Sequence, residues 1–268
     1  MTRRQRAALI QVLMYVLLAA AIVTLAVVAD WTKIHENFWN ADGISWADGN
    51  WQDLITTGLV NTVKYTAIAF GGGLALGLTL ALMRLSPVAP YRWLATAYIE
   101  FFRGLPALVV MMFMAFGLPI AFGWTPPGGL VGAGLIGLIL VAGAYMAETL
   151  RAGIQAVPKG QTEAARSLGM RTGATTFRVV LPQAFRIVIP PLTNEFVLLI
   201  KDTALLFLLG AAASQRELTS VAKDFLTSGP STGTATSLIQ AAILYLVITL
   251  PLTQLVAWLE RRQRKAVR

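Results

Sequence analysis

Residues 128–147 read GGLVGAGLIGLILVAGAYMA, twenty positions without a charge, a proline or a side-chain amide. At 1.5 Å per residue such a helix is as long as the roughly 30 Å hydrocarbon core of a bilayer is thick. Working outward, comparable runs lie at Leu9–Ala29, Thr66–Met83, Leu94–Leu118, Pro182–Ile200 and Leu238–Leu259. The spacing predicts an all-α integral membrane protein of about six transmembrane helices. The whole chain agrees, because 268 residues at 56% hydrophobic and 13% charged are too apolar for an ordinary soluble domain. Two runs are imperfect: Leu94–Leu118 carries Glu100, Arg103 and Pro106, and Pro182–Ile200 carries Arg186, Pro190, Pro191 and Glu195. Lipid penalises such groups, whereas a protein-lined path tolerates them.

The net charge of +9 does not point to nucleic acid, since the basic residues are scattered between apolar blocks rather than gathered on one soluble face. They report orientation instead. With the N-terminus inside, sixteen of the 22 lysines and arginines fall in cytoplasmic stretches: Arg3, Arg4 and Arg6; Arg84 and Arg92; Arg151 to Arg186; and Arg261 to Arg268. The first outside loop holds Asp30, Glu36, Asp42, Asp48 and Asp53 against Lys33. Both termini are expected in the cytoplasm. A rival reading takes Arg3, Arg4, Arg6 and the first apolar run as a cleaved secretory signal, but that run of about 21 residues exceeds a signal core of about 7–15. With no cysteine and a single histidine, His35, thiol catalysis, disulfides and Cys/His metal clusters are excluded.

Small residues recur at four-residue spacing in two spans, Gly73 with Gly77 and Ala133 with Gly137, a pattern that lets helix backbones approach closely. Either packing within one subunit or a subunit interface would use it. Between the fourth and fifth spans, Glu148 to Pro182 is long, polar and basic yet punctuated like ordered helix. Pro158 suits a helix start, Gln161 to Leu168 is helix-compatible, and Gly169 stands where a left-handed cap would end it. A second short helix, Ala174 to Val180, would precede Leu181-Pro182. Ala164 and Ala165 present little side chain to a partner, and Glu163 offers it a charge. A basic helical hairpin at a membrane surface remains the plain alternative.

The string Glu163-Ala164-Ala165, Gly169, Val179 and Leu181-Pro182 resembles the signature loop of the permeases of ABC importers with the type I fold, with valine where isoleucine is more usual. The resemblance extends to Gly58–Thr66, Ile99–Val109, Ala144–Met170, Leu181–Phe196 and Leu198–Leu206, and is to the polar amino acid branch of that family. It implies a loop that docks in a groove of a separate ATP-binding subunit, a second permease that is identical or similar, and an extracytoplasmic amino-acid-binding protein. No Gly-x-x-x-x-Gly-Lys-Ser/Thr phosphate loop occurs, so no cofactor is expected in this chain and ATP-Mg belongs to the partner ATPase. Residues 1–57, a cytoplasmic tail, first span and acidic outside loop, fall outside the resemblance. Residues 58–260 form the permease, with its coupling loop at 150–182, and 261–268 a basic tail.

Candidates for the substrate path are the ionisable and amide groups at membrane depth. Glu100 and Arg103, three residues apart on a helix, could pair with each other or line the path. Past the Pro190-Pro191 kink, Asn194 and Lys201 share one face and Glu195 and Asp202 the adjoining one. Asn194 and Glu195 are expected to reach the path, Lys201 either to join them or to anchor the helix with Asp202. The near balance of charge suits a zwitterion. Ser214-x-x-Glu217 has the spacing of a capping box opening an amphipathic outer helix to about Leu226. Two other functions compete with the importer: a secondary transporter coupled through Glu100 or Glu195, and a membrane enzyme or scaffold, for which one histidine and no clustered carboxylates offer little.

Overall fold

The computed structural model describes residues 3–46 and 49–266, so Asp48 and Arg268 lie outside the described residues. Every regular element in it is helical. α1 (Arg3–Val28) is followed by the short α2 (Trp31–Phe38) and α3 (Ala41–Ile44). α4 (Trp51–Asp53) runs through a π turn at Leu54–Leu59 into α5 (Val60–Leu85), and α6 (Ala89–Gly104) follows. α7 (Ala107–Met112) passes through a second π turn into α8 (Leu118–Phe122). α9 (Gly129–Gln155) is the long central helix. Next come α10 (Lys159–Ser167), α11 (Thr172–Thr175), a third π turn at Thr176–Val180 and α12 (Leu181–Asp202). A 3₁₀ stretch, Thr203–Leu209, leads to α13 (Leu218–Thr227) and α14 (Thr236–Ala266).

Four helical stretches are long and apolar enough to cross a membrane: Ala8–Val28, Trp51–Leu85, Gly129–Gln155 and Thr236–Gln263. A fifth candidate is the bent pair Ala89–Gly104 and Ala107–Phe122, if the two together make one span. The expected span Leu94–Leu118, imperfect in sequence, is divided between two helices at 104°. Pro106 has no N–H to donate and holds Leu105 extended, at φ −103° and ψ 140°, directly after Gly104. α12, which carries Arg186, Glu195, Lys201 and Asp202, is not among these five, and reaching six crossings requires counting it.

The bundle is organised on α9, whose buried face runs from Val131 to Gly153. α5 lies parallel to it, with Gly72 against Ile139 and Gly77 against Met146. A Cβ at Gly77 would stand 2.9 Å from the Met146 Cβ and 3.0 Å from the Ala147 amide nitrogen, so the two backbones meet there. Gly137 admits α7 in the same way, its notional Cβ 2.8 Å from the Met111 Cα. Both small-residue motifs thus serve contacts within this chain. α12 and the 3₁₀ stretch that continues it run antiparallel to α9, Val188 opposite Gly153 and Leu206 opposite Gly134, and α14 packs on α12.

α1 stands apart, every described side chain in its span exposed. The segment after it does not. The Ala235 amide donates to the Asn37 carbonyl (2.7 Å), the Asn40 amide to Thr236 Oγ1 (2.9 Å), and Gln240 Nε2 to the Gly43 carbonyl (3.0 Å). Buried Asn50 donates to Ser231 Oγ and Gln240 Oε1 at 2.7 and 2.9 Å. The segment after α1 is thereby strapped to the N-terminal end of α14.

Candidate functional site

α10, α11 and the π turn form a knob where α9 ends and α12 begins. Pro158 is the N-cap of α10, one residue ahead of the first helical turn. At the other end the Gly169 amide donates to the Arg166 carbonyl (3.0 Å) and the Met170 amide to the Ala165 carbonyl (3.2 Å), with Gly169 at φ +81°. These two bonds and the left-handed glycine make a Schellman cap, so the turn follows from local sequence. Arg166 donates to Thr172 Oγ1 and ties the two short helices together. The second helix does not stop before Leu181-Pro182: Thr172 to Asp202 is one helical run. The π turn over Thr176–Val180 lies where the ring of Pro182 would crowd the preceding carbonyls.

Of the alanine pair, Ala164 is exposed while Ala165 is 5% exposed and faces inward, because adjacent helical positions lie 100° apart. Glu163 is exposed and has no ion pair among the described residues. Leu168 at 85% and Phe177 at 73% exposure stand out from the knob. Sequence reading passed over both. Leu168 follows the periodic part of α10 directly, and a large apolar residue next to a cap glycine in a polar loop was the available signal.

Behind the knob, the last turns of α9 carry an ionic junction. Arg84 of α5 donates to Glu148 (2.7 Å) and lies 3.6 Å from Glu100 of α6, while Arg151 pairs with Glu148 and donates to Gln155. Arg84, Glu148 and Arg151 are about three-quarters buried, so desolvation strengthens their pairing relative to a surface bridge. Of the two readings of Glu100 and Arg103, the mutual pair does not form; Glu100 lies instead beside Arg84 of the neighbouring helix. Arg103 instead lies over the Tyr145 ring, 5.6 Å from its centroid, and Tyr145 donates to the Arg103 carbonyl (3.4 Å).

One turn further along α9, a cavity of about 400 Å³ opens between the Leu105-Pro106 kink, α9 at Leu138 to Tyr145, and α12. Two carboxylates line it, those of Glu195 and Asp202. They are seven residues apart, two helical turns, and so project from one face. Asn194 and Lys201 are exposed and outside the lining, as their one-residue offset rotates them off that face. Glu100 and Arg103 are not in the lining either; Arg103 touches its wall only through Tyr145. The charge balance expected from sequence is replaced by two carboxylates, an environment that favours an ammonium or guanidinium group.

At the opposite end, Glu217 rather than Ser214 is the N-cap of α13. It accepts from the Thr219 and Ser220 amides (2.6 and 2.7 Å), from Ser220 Oγ (2.7 Å) and from the Tyr245 hydroxyl (3.3 Å). Burial pushes its carboxyl above the usual range, against the downward pull of those four donors. Asn61 donates to the Ser214 and Arg216 carbonyls (2.9 Å each), Tyr65 to the Gln215 carbonyl (2.9 Å), and the Leu218 amide to Thr62 Oγ1 (3.1 Å). The connection from Ser214 to Leu218 is latched to α5 by these four bonds.

Residues 73–265 match the family model described as "Binding-protein-dependent transport system inner membrane component". The chain is 39% identical over 209 residues to the probable glutamine ABC transporter permease protein GlnM of Bacillus subtilis, covering 78% of this chain and 93% of that one. It is 34% identical to the glutamate/aspartate import permease protein GltK of Escherichia coli, over 76% of this chain and 91% of the relative. Among solved structures, an amino acid ABC transporter crystallised with histidines superposes with a TM-score of 0.70 at 37% identity, covering 79% of this chain and 95% of that one.

Proposed function

The chain belongs to the family of binding-protein-dependent transport system inner membrane components, and we propose that it forms the pathway by which an ABC importer carries polar amino acids inward. It is a multi-pass inner-membrane permease subunit and not the ATPase. The observation that carries the mechanism is mechanical continuity: the knob joins α9 to α12, and those same two helices wall the cavity that holds Glu195 and Asp202. A force applied at Glu163, Ala164, Gly169 and the exposed Leu168 and Phe177 is delivered to both walls. Ala165 and Gly169 hold the turn, and Leu181-Pro182 passes the load into α12.

In this reading an ATPase subunit grips the knob, and ATP-Mg closure in that partner swings α12 against α9. Two permeases, identical or similar, enclose the path, and an extracytoplasmic binding protein delivers substrate at the outer latch. Both termini face the cytoplasm, as the lysine and arginine bias favours. Glu195 and Asp202 receive the positive end of the amino acid, its ammonium or a cationic side chain. Alternating exposure of the cavity then needs each conformation to bind substrate differently, which moving α12 carboxylates relative to Tyr145 would supply.

The test is uptake into proteoliposomes holding the permease, ATPase and binding protein. Glu195→Gln should raise the concentration for half-maximal uptake or change the preferred amino acid while ATPase docking is retained. An unaltered substrate profile would remove Glu195 from the path. Accumulation without ATPase, driven by an ion gradient, would replace this reading with a secondary transporter.

A further inference from the structure

On the knob side of the membrane, between α12 and the end of α14, lies a cavity of about 480 Å³ lined by Arg186, Ile189, Leu259, Arg262 and Gln263. Its lining pairs two guanidinium groups with two aliphatic side chains. Gln263 donates to the Arg186 carbonyl and fixes the two helices there, and Arg262 lies over the Trp258 ring, 5.3 Å from its centroid. Among the described residues neither Arg186 nor Arg262 has an ion-pair partner, whereas Arg84, Arg151 and Arg216 each have at least one. The sequence adds Arg261, Arg264, Lys265 and Arg268 against Glu260 alone.

The approach to this cavity is apolar. Val247, Pro251, Leu255 and Trp258 are exposed along α14 at spacings of four, four and three residues, a ridge leading to Arg262. Guanidinium groups suit phosphate because their N–H forks match its oxygens, and basic pockets between membrane helices concentrate anionic headgroups at the cytoplasmic leaflet. We infer that this cavity binds an anionic phospholipid, its phosphate between Arg186 and Arg262 and an acyl chain along the Val247–Trp258 ridge. Carboxylates of a protein partner would answer the charge but leave Ile189, Leu259 and the ridge uncovered. The inference rests on the proposed sidedness only for which leaflet supplies the lipid.

Native mass spectrometry of the full chain in detergent, titrated with phosphatidylglycerol and separately with phosphatidylcholine, tests this without transport or ATP. The wild-type chain should retain phosphatidylglycerol roughly tenfold or more over phosphatidylcholine, given the attraction of each arginine for an anionic headgroup. Arg186→Gln with Arg262→Gln should bring the two lipids to near equality, and the paired Arg→Lys changes should restore part of the preference, which separates recognition from a folding defect. An undiminished preference in the glutamine variant overturns the site. So does displacement of the lipid by millimolar glycerol 3-phosphate, which would mark a site for free phosphate esters. Loss of ATPase binding with lipid preference intact would assign the arginines to a protein interface and likewise overturn it.

Discussion

Leu168→Ala removes the most exposed large side chain of the knob without touching the bundle. At 85% exposure its side chain contributes almost nothing to the free chain, so the fold should tolerate its loss. If the ATPase groove covers it, burial of a leucine is worth about 1.5–3 kcal/mol, and truncation to alanine about 2 kcal/mol. That is roughly thirtyfold in Kd. Phe177, 73% exposed on the following π turn, has a comparable stake, and the two lie on different elements. If they act independently, the double variant should lose nearly a thousandfold, about 4 kcal/mol. The assay is surface binding of the purified ATPase subunit to detergent-solubilised permease, with thermal unfolding of the permease as control. Kd values within threefold of wild type for both single variants, at unchanged unfolding temperature, would refute the docking argument.

Four further outcomes follow from the geometry. Gly169→Val should impair coupling more than Gly169→Asn, because a β-branched residue at φ +81° carries a left-handed cost of about 1–2 kcal/mol that asparagine partly avoids; nothing lies within 4 Å of the added Cβ, so equal uptake per ATP in the two would deny the cap its role. Gly77→Val should destabilise the chain by about 1–3 kcal/mol through contact with Met146 and the α9 backbone, while Gly71→Ala, with open space around it, should not; thermal unfolding in detergent distinguishes them. Because burial raises the Glu217 carboxyl in the folded chain, the folded state holds a proton that the unfolded state has already released. Its stabilising contribution is therefore present at acid pH and falls as pH climbs from about 4.3, the ordinary glutamate value, through the raised one; the slope of unfolding temperature against pH should flatten in Glu217→Gln. Asp202→Asn should weaken uptake of a cationic amino acid more than that of an anionic one, and equal effects in competition assays would take Asp202 out of the path.

The knob was legible because its folding is local. Proline, helix, glycine and turn follow one another within a dozen residues, and hydrogen bonds between near neighbours close the cap. The cavity residues were half legible: Glu195 stands out by its cost in lipid, and the sequence places Asp202 on the Glu195 face, but it offers Lys201 for the path and Asp202 only as its anchoring partner, whereas Asp202 lines the cavity and Lys201 does not. Glu100 and Arg103 misled because intrahelical spacing was weighed without Arg84, which arrives from α5 and takes Glu100. The outer helix was misaligned for a similar reason. Ser-x-x-Glu fits a capping box, but Tyr245, Thr62 and Asn61 from other helices fix where the chain turns, and Glu217 becomes the cap.

Sequence by itself determined what depends on composition and near-neighbour order: apolar runs that require a bilayer, a glycine-capped knob, and the small residues that let α5 approach α9. Tertiary structure decided what depends on elements distant in the chain. It set the 104° break that makes a cavity wall from one expected span, the Arg84–Glu148–Arg151 junction, the strap from Asn37 to Asn50 across the head of α14, and the selection of Glu195 and Asp202 for the cavity. The physical reason is the same in each case. A buried polar or charged group must find a partner or a wet cavity, and which partner is nearest is a property of the packed bundle and not of the string.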